Sequence, residues 1–202
     1  MAVVDPEDVI DFPEPKPLSV LERGMFPRRF WESDFKMKRT QENADAIDTM
    51  RAFDGGRNVF LSGAPGSGKT RLACAAIRTL NRPAKFYDTA KLLLDFQCSV
   101  EKHGEKDLIR EITDKVLKDK KILVFDDLGA HRISEFSVEM FGILVNEFYN
   151  QEATGLIFTS NFTLGELSMK MSDRITSRLA EMCVVLKTGT TDYRTNKAEA
   201  QK

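Results

Sequence analysis

The segment FLSGAPGSGKT, residues 60–70, carries the most specific pattern in this chain. The apolar run at 58–62 is typical of a buried strand, and the pattern that starts at Arg71 predicts a helix. Residues 63–70 match the pattern G-x-x-x-x-G-K-[ST]. Glycines allow the backbone to approach a phosphate closely, and the N-terminus of the helix adds partial positive charge. We therefore predict a phosphate-binding loop, and the alternative is a glycine-rich turn that binds nothing.

This loop offers both backbone and side-chain ligands to a nucleotide. Lys69 is expected to reach the β- and γ-phosphates, and the hydroxyl group of Thr70 is expected to bind Mg²⁺. Successive backbone N–H groups of the loop point toward the same phosphates. The residues that we predict to contact the nucleotide are Gly63, Ala64, Pro65, Gly66, Ser67, Gly68, Lys69, Thr70 and Arg71.

A pair of acidic residues lies in KKILVFDDLG, residues 120–129. Asp126 and Asp127 directly follow an apolar run, where a carboxylate is costly to bury unless a cation or hydrogen bonds compensate its charge. A Mg²⁺ ion beside the phosphates would do so. We predict that Asp126 holds the metal through its water shell and that Asp127 orients the attacking water. The alternative is a pair that caps a turn before Gly129.

Two further motifs place polar residues at the end of an apolar strand and on a helix. LIFTSNF, residues 156–162, predicts that Asn161 hydrogen-bonds the γ-phosphate or the lytic water, unless it only ends the strand in a turn. In SDRITSRLAEM, residues 172–182, Arg174 and Arg178 lie four positions apart and share one helix face. These arginines are expected either to stabilise charge in a transition state or to form a solvated basic surface.

Short apolar runs alternate with longer helical patterns through most of the chain. The predicted strands are Val59–Ser62, Ala84–Tyr87, Ile122–Phe125, Gly155–Thr159 and Cys183–Leu186. Helices are predicted at residues 41–53, after Thr89, from Ser134 to Tyr149, and after a capping box at residues 163–166. Because the strands are apolar on both faces, we expect a parallel sheet covered by helices on both sides, a three-layer α/β fold.

Composition limits the class of protein. The chain has 202 residues, with 30 basic and 31 acidic side chains and a net charge of −1, so any contact with nucleic acid requires a local basic patch. Three cysteines lack metal-binding spacing, and no targeting or membrane-spanning pattern is present, which predicts a cytoplasmic protein. We predict an extended N-terminal arm at residues 1–24, a single domain at 25–190 and a polar tail at 191–202.

Taken in order, GAPGSGKT, ILVFDDLG, IFTSN and DRITSRL resemble the motifs of AAA+ ATPases. The exact residues of these motifs resemble those of the DnaC/IstB branch, which contains helicase loaders and transposition helper ATPases. FPRRFWESDF before the first strand and DYR at 192–194 are also similar to segments of that branch. The resemblance covers residues 25–194.

The resemblance implies a P-loop NTPase of the AAA+/ASCE type with a five-stranded parallel sheet. It further implies that the strand carrying Asp126 lies beside the strand of the phosphate-binding loop, and that no C-terminal lid domain follows. ATP and Mg²⁺ are the implied ligands, and slow ATP hydrolysis is the implied activity. Arg178 falls where this class places an arginine that serves the neighbouring subunit, with Arg174 as the second candidate.

The same resemblance leaves three functions open. The leading one is a replicative helicase loader that self-associates into an oligomer or filament and binds a ring-shaped helicase and single-stranded DNA. The others are a transposition helper ATPase and an ATP-dependent adaptor with negligible hydrolysis. The segment 88–118 corresponds to a DNA-contacting element of the branch. The acidic arm contains the apolar residues Val9, Ile10, Phe12 and Leu18, which predict that it recruits the partner protein. The alternative is a solubilising or vestigial tail.

Overall fold

The computed structural model describes residues 26–80, 82–100, 105–118, 120–130 and 134–193. Its strands are β1 (Asn58–Ser62), β2 (Ala84–Asp88), β3 (Ile122–Leu128), β4 (Leu156–Ser160) and β5 (Cys183–Lys187). They form one parallel five-stranded sheet in the order β2-β3-β4-β1-β5. The predicted strands are confirmed, and β3 is longer than predicted because it continues through Asp126 and Asp127.

Helices connect the strands. They are α1 (Ala44–Arg51), α2 (Lys69–Thr79), α3 (Thr89–Val100), α4 (Glu105–Leu117), α5 (Glu135–Asn150), α6 (Leu164–Lys170) and α7 (Asp173–Met182), and a short 3-10 helix spans Arg28–Phe30. The capping box predicted at Thr163 and Glu166 is present at the start of α6. None of the described helices has the length and apolar character needed to cross a membrane. The predicted arm at 1–24, with its four apolar residues, lies outside the described residues.

Alternate residues of the strands pack on opposite faces of the sheet. Phe60, Phe125 and Phe158 point to one face, where they form a core with helices α3 to α7. Their neighbours, which include Val59 and Ile157, point to the other face and pack against α1 and α2. The strands are therefore buried on both sides, as their continuous apolar runs require. This arrangement confirms the predicted three-layer α/β fold.

The prediction of which strand pairs with β1 is wrong. We expected β3, which carries Asp126, to lie beside β1, but β4 pairs with both and separates them. That expectation came from the resemblance of the motifs, and matching motifs do not fix the order of strands in a sheet, which depends on how the connecting helices pack. The consequence is that the end of β4 lies between the phosphate-binding loop and the acidic pair.

Candidate functional site

The carboxyl end of β1 leads into the loop at residues 63–68, and α2 begins at Lys69. Gly66 and Gly68 have φ values of 80° and 94°, a backbone region that favours glycine. The hydroxyl groups of Ser67 and Thr188 are hydrogen-bonded at 2.6 Å, and the N–H of Ala64 donates to the carbonyl of Gly189 at 3.1 Å. The loop is therefore held against the chain that leaves β5.

The Lys69 ammonium group lies within this loop. The side chain is buried, and Nζ donates to the carbonyl oxygens of Gly63 and Ala64 at 2.8 and 2.9 Å. Nζ also donates to Oδ1 of Asn161 at 2.8 Å, which links α2 to the end of β4. These acceptors are neutral, so a phosphate oxygen would compete well with them for the ammonium group.

Asp126 is a buried carboxylate with two hydroxyl donors. Its Oδ1 accepts hydrogen bonds from Oγ1 of Thr70 and from Oγ1 of Thr159, each at 2.7 Å. Burial raises the pKa of Asp126, as does the charge of Asp127, and these effects outweigh the two hydroxyl hydrogen bonds, which lower it. A raised pKa means that burial disfavours the charged form at this position, and a bound cation would favour it.

The donors around Asp126 fit Mg²⁺. A carboxylate and a hydroxyl group are the hard oxygen ligands that this ion prefers. The described residues contain no cluster of three or more histidine, cysteine or acidic side chains that could hold a metal alone. Thr70 and Asp126 therefore fit an ion that takes its remaining ligands from nucleotide phosphates and water.

Asp127 turns away from Asp126 and is exposed. Its φ of 62° is unusual for a residue other than glycine, and the register between β3 and β4 shifts between Phe125 and Leu128. The backbone N–H of Asp127 donates to Oγ1 of Thr159 at 3.0 Å, while its Oδ1 accepts from Nδ2 of Asn161 at 2.6 Å. The two consecutive carboxylates thus have different surroundings. Asp126 is buried between two hydroxyl donors, and Asp127 is exposed and bonded to Asn161.

These side chains meet in a cavity of 390 Å³. Its lining contains Gly66, Gly68, Lys69, Thr70, Arg71, Asp126, Asp127 and Asn161, which were predicted, and Arg29, Phe30, Glu32, Ser33 and Tyr193, which were not. The aromatic and basic segment FPRRFW and the DYR motif marked these regions in the sequence, but neither pattern predicts that they contact the loop. Thr159, which joins Asp126 to Asp127, was also missed.

Arg71 lines the cavity but is already engaged. Its guanidinium group forms an ion pair with Asp34, and its Nε donates to the Asp34 carbonyl at 3.2 Å. Burial alone would raise the pKa of Asp34, but the Arg71 hydrogen bond and charge lower it below its ordinary value. Arg71 therefore fastens the segment that precedes the sheet to α2.

Arg174 and Arg178 do not line the cavity. Both lie on α7; Arg174 is exposed and Arg178 is half-buried. The guanidinium carbon of Arg178 lies 5.4 Å from the centre of the Tyr149 ring, and its Nη1 donates to the Arg174 carbonyl at 3.3 Å. In this geometry neither arginine belongs to the phosphate site of its own chain.

The fold is similar to that of several solved structures. The crystal structure of the DnaC helicase loader is 23% identical, with 80% of this chain and 99% of that chain covered and a TM-score of 0.68. For DnaI the values are 20%, 80%, 94% and 0.65. For AMPPCP-bound DnaA from Aquifex aeolicus they are 17%, 84%, 54% and 0.66. At these identities the likeness shows a shared α/β P-loop NTPase fold.

Family membership rests on the sequence. Curated proteins gave no significant match. The pattern of IstB-like ATP binding proteins, in contrast, matches residues 26–201 and so includes every element that lines the cavity. The chain belongs to the family of IstB-like ATP-binding proteins.

Proposed function

We propose that this protein is a Mg²⁺-dependent ATPase that loads a replicative helicase. The observation that carries the ATPase is the connected set of hydrogen bonds from Lys69 through Asn161 to Asp127, beside the buried pair Thr70 and Asp126. A loop that binds phosphates, an oxygen site for a cation and an exposed carboxylate next to both are the parts that hydrolysis requires.

Binding involves the loop and the first turn of α2. The backbone N–H groups of residues 63–68 and the Lys69 ammonium group hold the β- and γ-phosphates. Thr70 and Asp126 would hold Mg²⁺, which neutralises phosphate charge when it is bound. Lys69 exchanges its carbonyl acceptors for phosphate oxygens, so the loop gives up two internal hydrogen bonds on binding.

Hydrolysis involves the ends of β3 and β4. The exposed carboxylate of Asp127 accepts a hydrogen bond from the water that attacks the γ-phosphate and so orients that water. Asn161 keeps the carboxylate in position through its amide group. Arg178 of a second copy of the chain supplies a guanidinium group to the γ-phosphate, since in its own chain this side chain lies outside the cavity. Self-association is therefore part of the proposed mechanism.

The biological role has two candidates. Loading of a helicase is favoured by the fold, since the match to the DnaC helicase loader covers 99% of that chain. A transposition helper is favoured by the family description, which names IstB. Of the basic residues at 88–118, Lys91, Arg110 and Lys118 are exposed, and Lys118 pairs with Asp114 at 2.8 Å. Lys102 and His103 lie outside the described residues. Direct binding of DNA by this segment is therefore a proposal that rests on its basic residues alone.

Affinity capture from the native host separates the two roles. The tagged protein is incubated with ATP, and the captured proteins are identified by mass spectrometry, with Lys69→Ala as the control in which nucleotide binding is weakened. Capture of the replicative helicase by the wild type, reduced in the control, supports loading. Capture of a transposase without helicase would refute it. Phosphate release with and without single-stranded DNA tests the ATPase, and no release above Lys69→Ala in either condition would leave only an adaptor.

A further inference from the structure

Arg29 lines the cavity, but neither the sequence analysis nor the proposed mechanism assigns it a role. It lies in the 3-10 helix Arg28–Phe30, ahead of the sheet. Two contacts anchor this segment: the buried Phe26 ring lies 5.4 Å from the Phe86 ring, and Nε1 of Trp31 donates to the Phe26 carbonyl at 2.9 Å. The backbone that carries Arg29 is therefore fixed to the domain beside the phosphate-binding loop.

The Arg29 guanidinium group is available to a ligand. It lines the cavity together with Lys69 and Asp126 and is itself exposed. Its guanidinium carbon lies 4.8 Å from the centre of the Phe30 ring, and within the described residues Arg29 has no carboxylate partner.

The charges of the cavity lining favour the use of a second cationic side chain, beside Lys69, to bind an anionic ligand. Three carboxylates line it, those of Glu32, Asp126 and Asp127, while the charge of Arg71 is offset by Asp34. Lys69 and Arg29 are the remaining cations of the described lining. A nucleoside triphosphate brings several more negative charges, and guanidinium groups bind phosphate oxygens through paired, charge-assisted hydrogen bonds.

We propose that Arg29 binds the phosphates of the nucleotide from within the same chain. This inference rests on the proposed nucleotide site and adds to it a residue from the segment that precedes the sheet. Arg29 differs in this respect from Arg178, which lies outside the cavity and would act on a neighbouring copy. Loss of Arg29 should therefore weaken binding even in a monomer.

The test is an equilibrium titration of the full chain with Mg·ATP and with adenosine, which lacks phosphates. Arg29→Ala should weaken Mg·ATP binding by roughly tenfold or more, the value expected for a hydrogen bond to a charged group, and leave adenosine binding unchanged. Arg29→Lys, which keeps the charge, should recover part of the loss. Arg28→Ala is the matched control, because Arg28 shares the 3-10 helix but lies 5.6 Å from the Trp31 ring and does not line the cavity.

Each outcome separates this inference from the proposed function. Wild-type protein that does not bind Mg·ATP would overturn both. Wild-type protein that binds, together with Arg29→Ala that binds equally well, would overturn the role of Arg29 alone. Equal losses for Mg·ATP and adenosine would mean that Arg29 contacts the base or only supports the fold, and would also refute phosphate binding. An equal loss in Arg28→Ala would do the same.

Discussion

Thr159 offers a sharp test of how the acidic pair is held. This buried residue in β4 donates through its hydroxyl group to Asp126 at 2.7 Å and accepts from the backbone N–H of Asp127 at 3.0 Å. Thr159→Val keeps the shape of the side chain and removes both hydrogen bonds. A hydrogen bond to a charged group contributes about 1.5–3 kcal/mol, and a buried N–H without an acceptor costs about 1–3 kcal/mol. Burial of the added methyl group offsets about 1 kcal/mol, so we expect a net loss of about 1.5–5 kcal/mol.

The pH dependence of this loss follows from Asp126. Its pKa in the folded state lies above the ordinary value of 3.8, so its ionisation destabilises the folded state. This cost is absent below 3.8, grows as the pH rises toward the folded-state pKa and is complete above it. Thr159→Val removes a hydrogen bond to the charged form and raises that pKa further. The loss of stability should therefore be larger at pH 7 than in acid.

Urea unfolding, followed by far-ultraviolet circular dichroism, measures the free energy of unfolding at both pH values. Thr113→Val is the matched control, because Thr113 is also buried and its hydroxyl group donates only to the helix carbonyls of Ile109 and Arg110, each at 3.0 Å. The control should lose less than about 1 kcal/mol, with no change between the two pH values. If Thr159→Val loses no more than Thr113→Val at pH 7, the reasoning about Asp126 is refuted.

Three further substitutions test the proposed chemistry. Lys69→Ala should weaken Mg·ATP binding by about tenfold or more in calorimetry, because it removes a charge-assisted contact with phosphate, and unchanged affinity would contradict the site. Asp127→Asn should keep Mg·ATP affinity and abolish phosphate release; normal release would show that Asp127 does not orient the water. Arg178→Ala should keep affinity and lose on the order of 10³-fold in turnover. Mixing it with Asp127→Asn should restore some activity, and activity independent of protein concentration down to a monomer would exclude catalysis between copies.

Local patterns predicted the strands and the loop because those signals lie within a few residues. The apolar run before Gly63 and the helix after Lys69 leave few alternatives to a strand, a loop and a helix. The same holds for Asp126, since an acid after four apolar residues reports both the end of a buried run and the need for a partner. The residues that specify such a feature are therefore its immediate neighbours in the sequence.

Other parts of the site depend on contacts between distant segments. The position of β4 between β1 and β3 places Asn161 against Lys69, and no local pattern indicates that order. The positive φ of Asp127 is a consequence of the shifted register of β3 on β4. Arg29 approaches the loop because aromatic residues around it pack on the sheet, which becomes visible only in three dimensions.

Tyr193 joins three parts of the chain at one point. Its backbone N–H donates to the Gly66 carbonyl at 3.1 Å, and its hydroxyl group donates to the Lys38 carbonyl at 2.9 Å and accepts from Nδ2 of Asn43 at 3.0 Å. A single residue therefore joins the loop, the segment before α1 and the last described residues by direct hydrogen bonds. Because one residue joins them, a displacement of Gly66 would strain the hydrogen bonds to Lys38 and Asn43 at the same time.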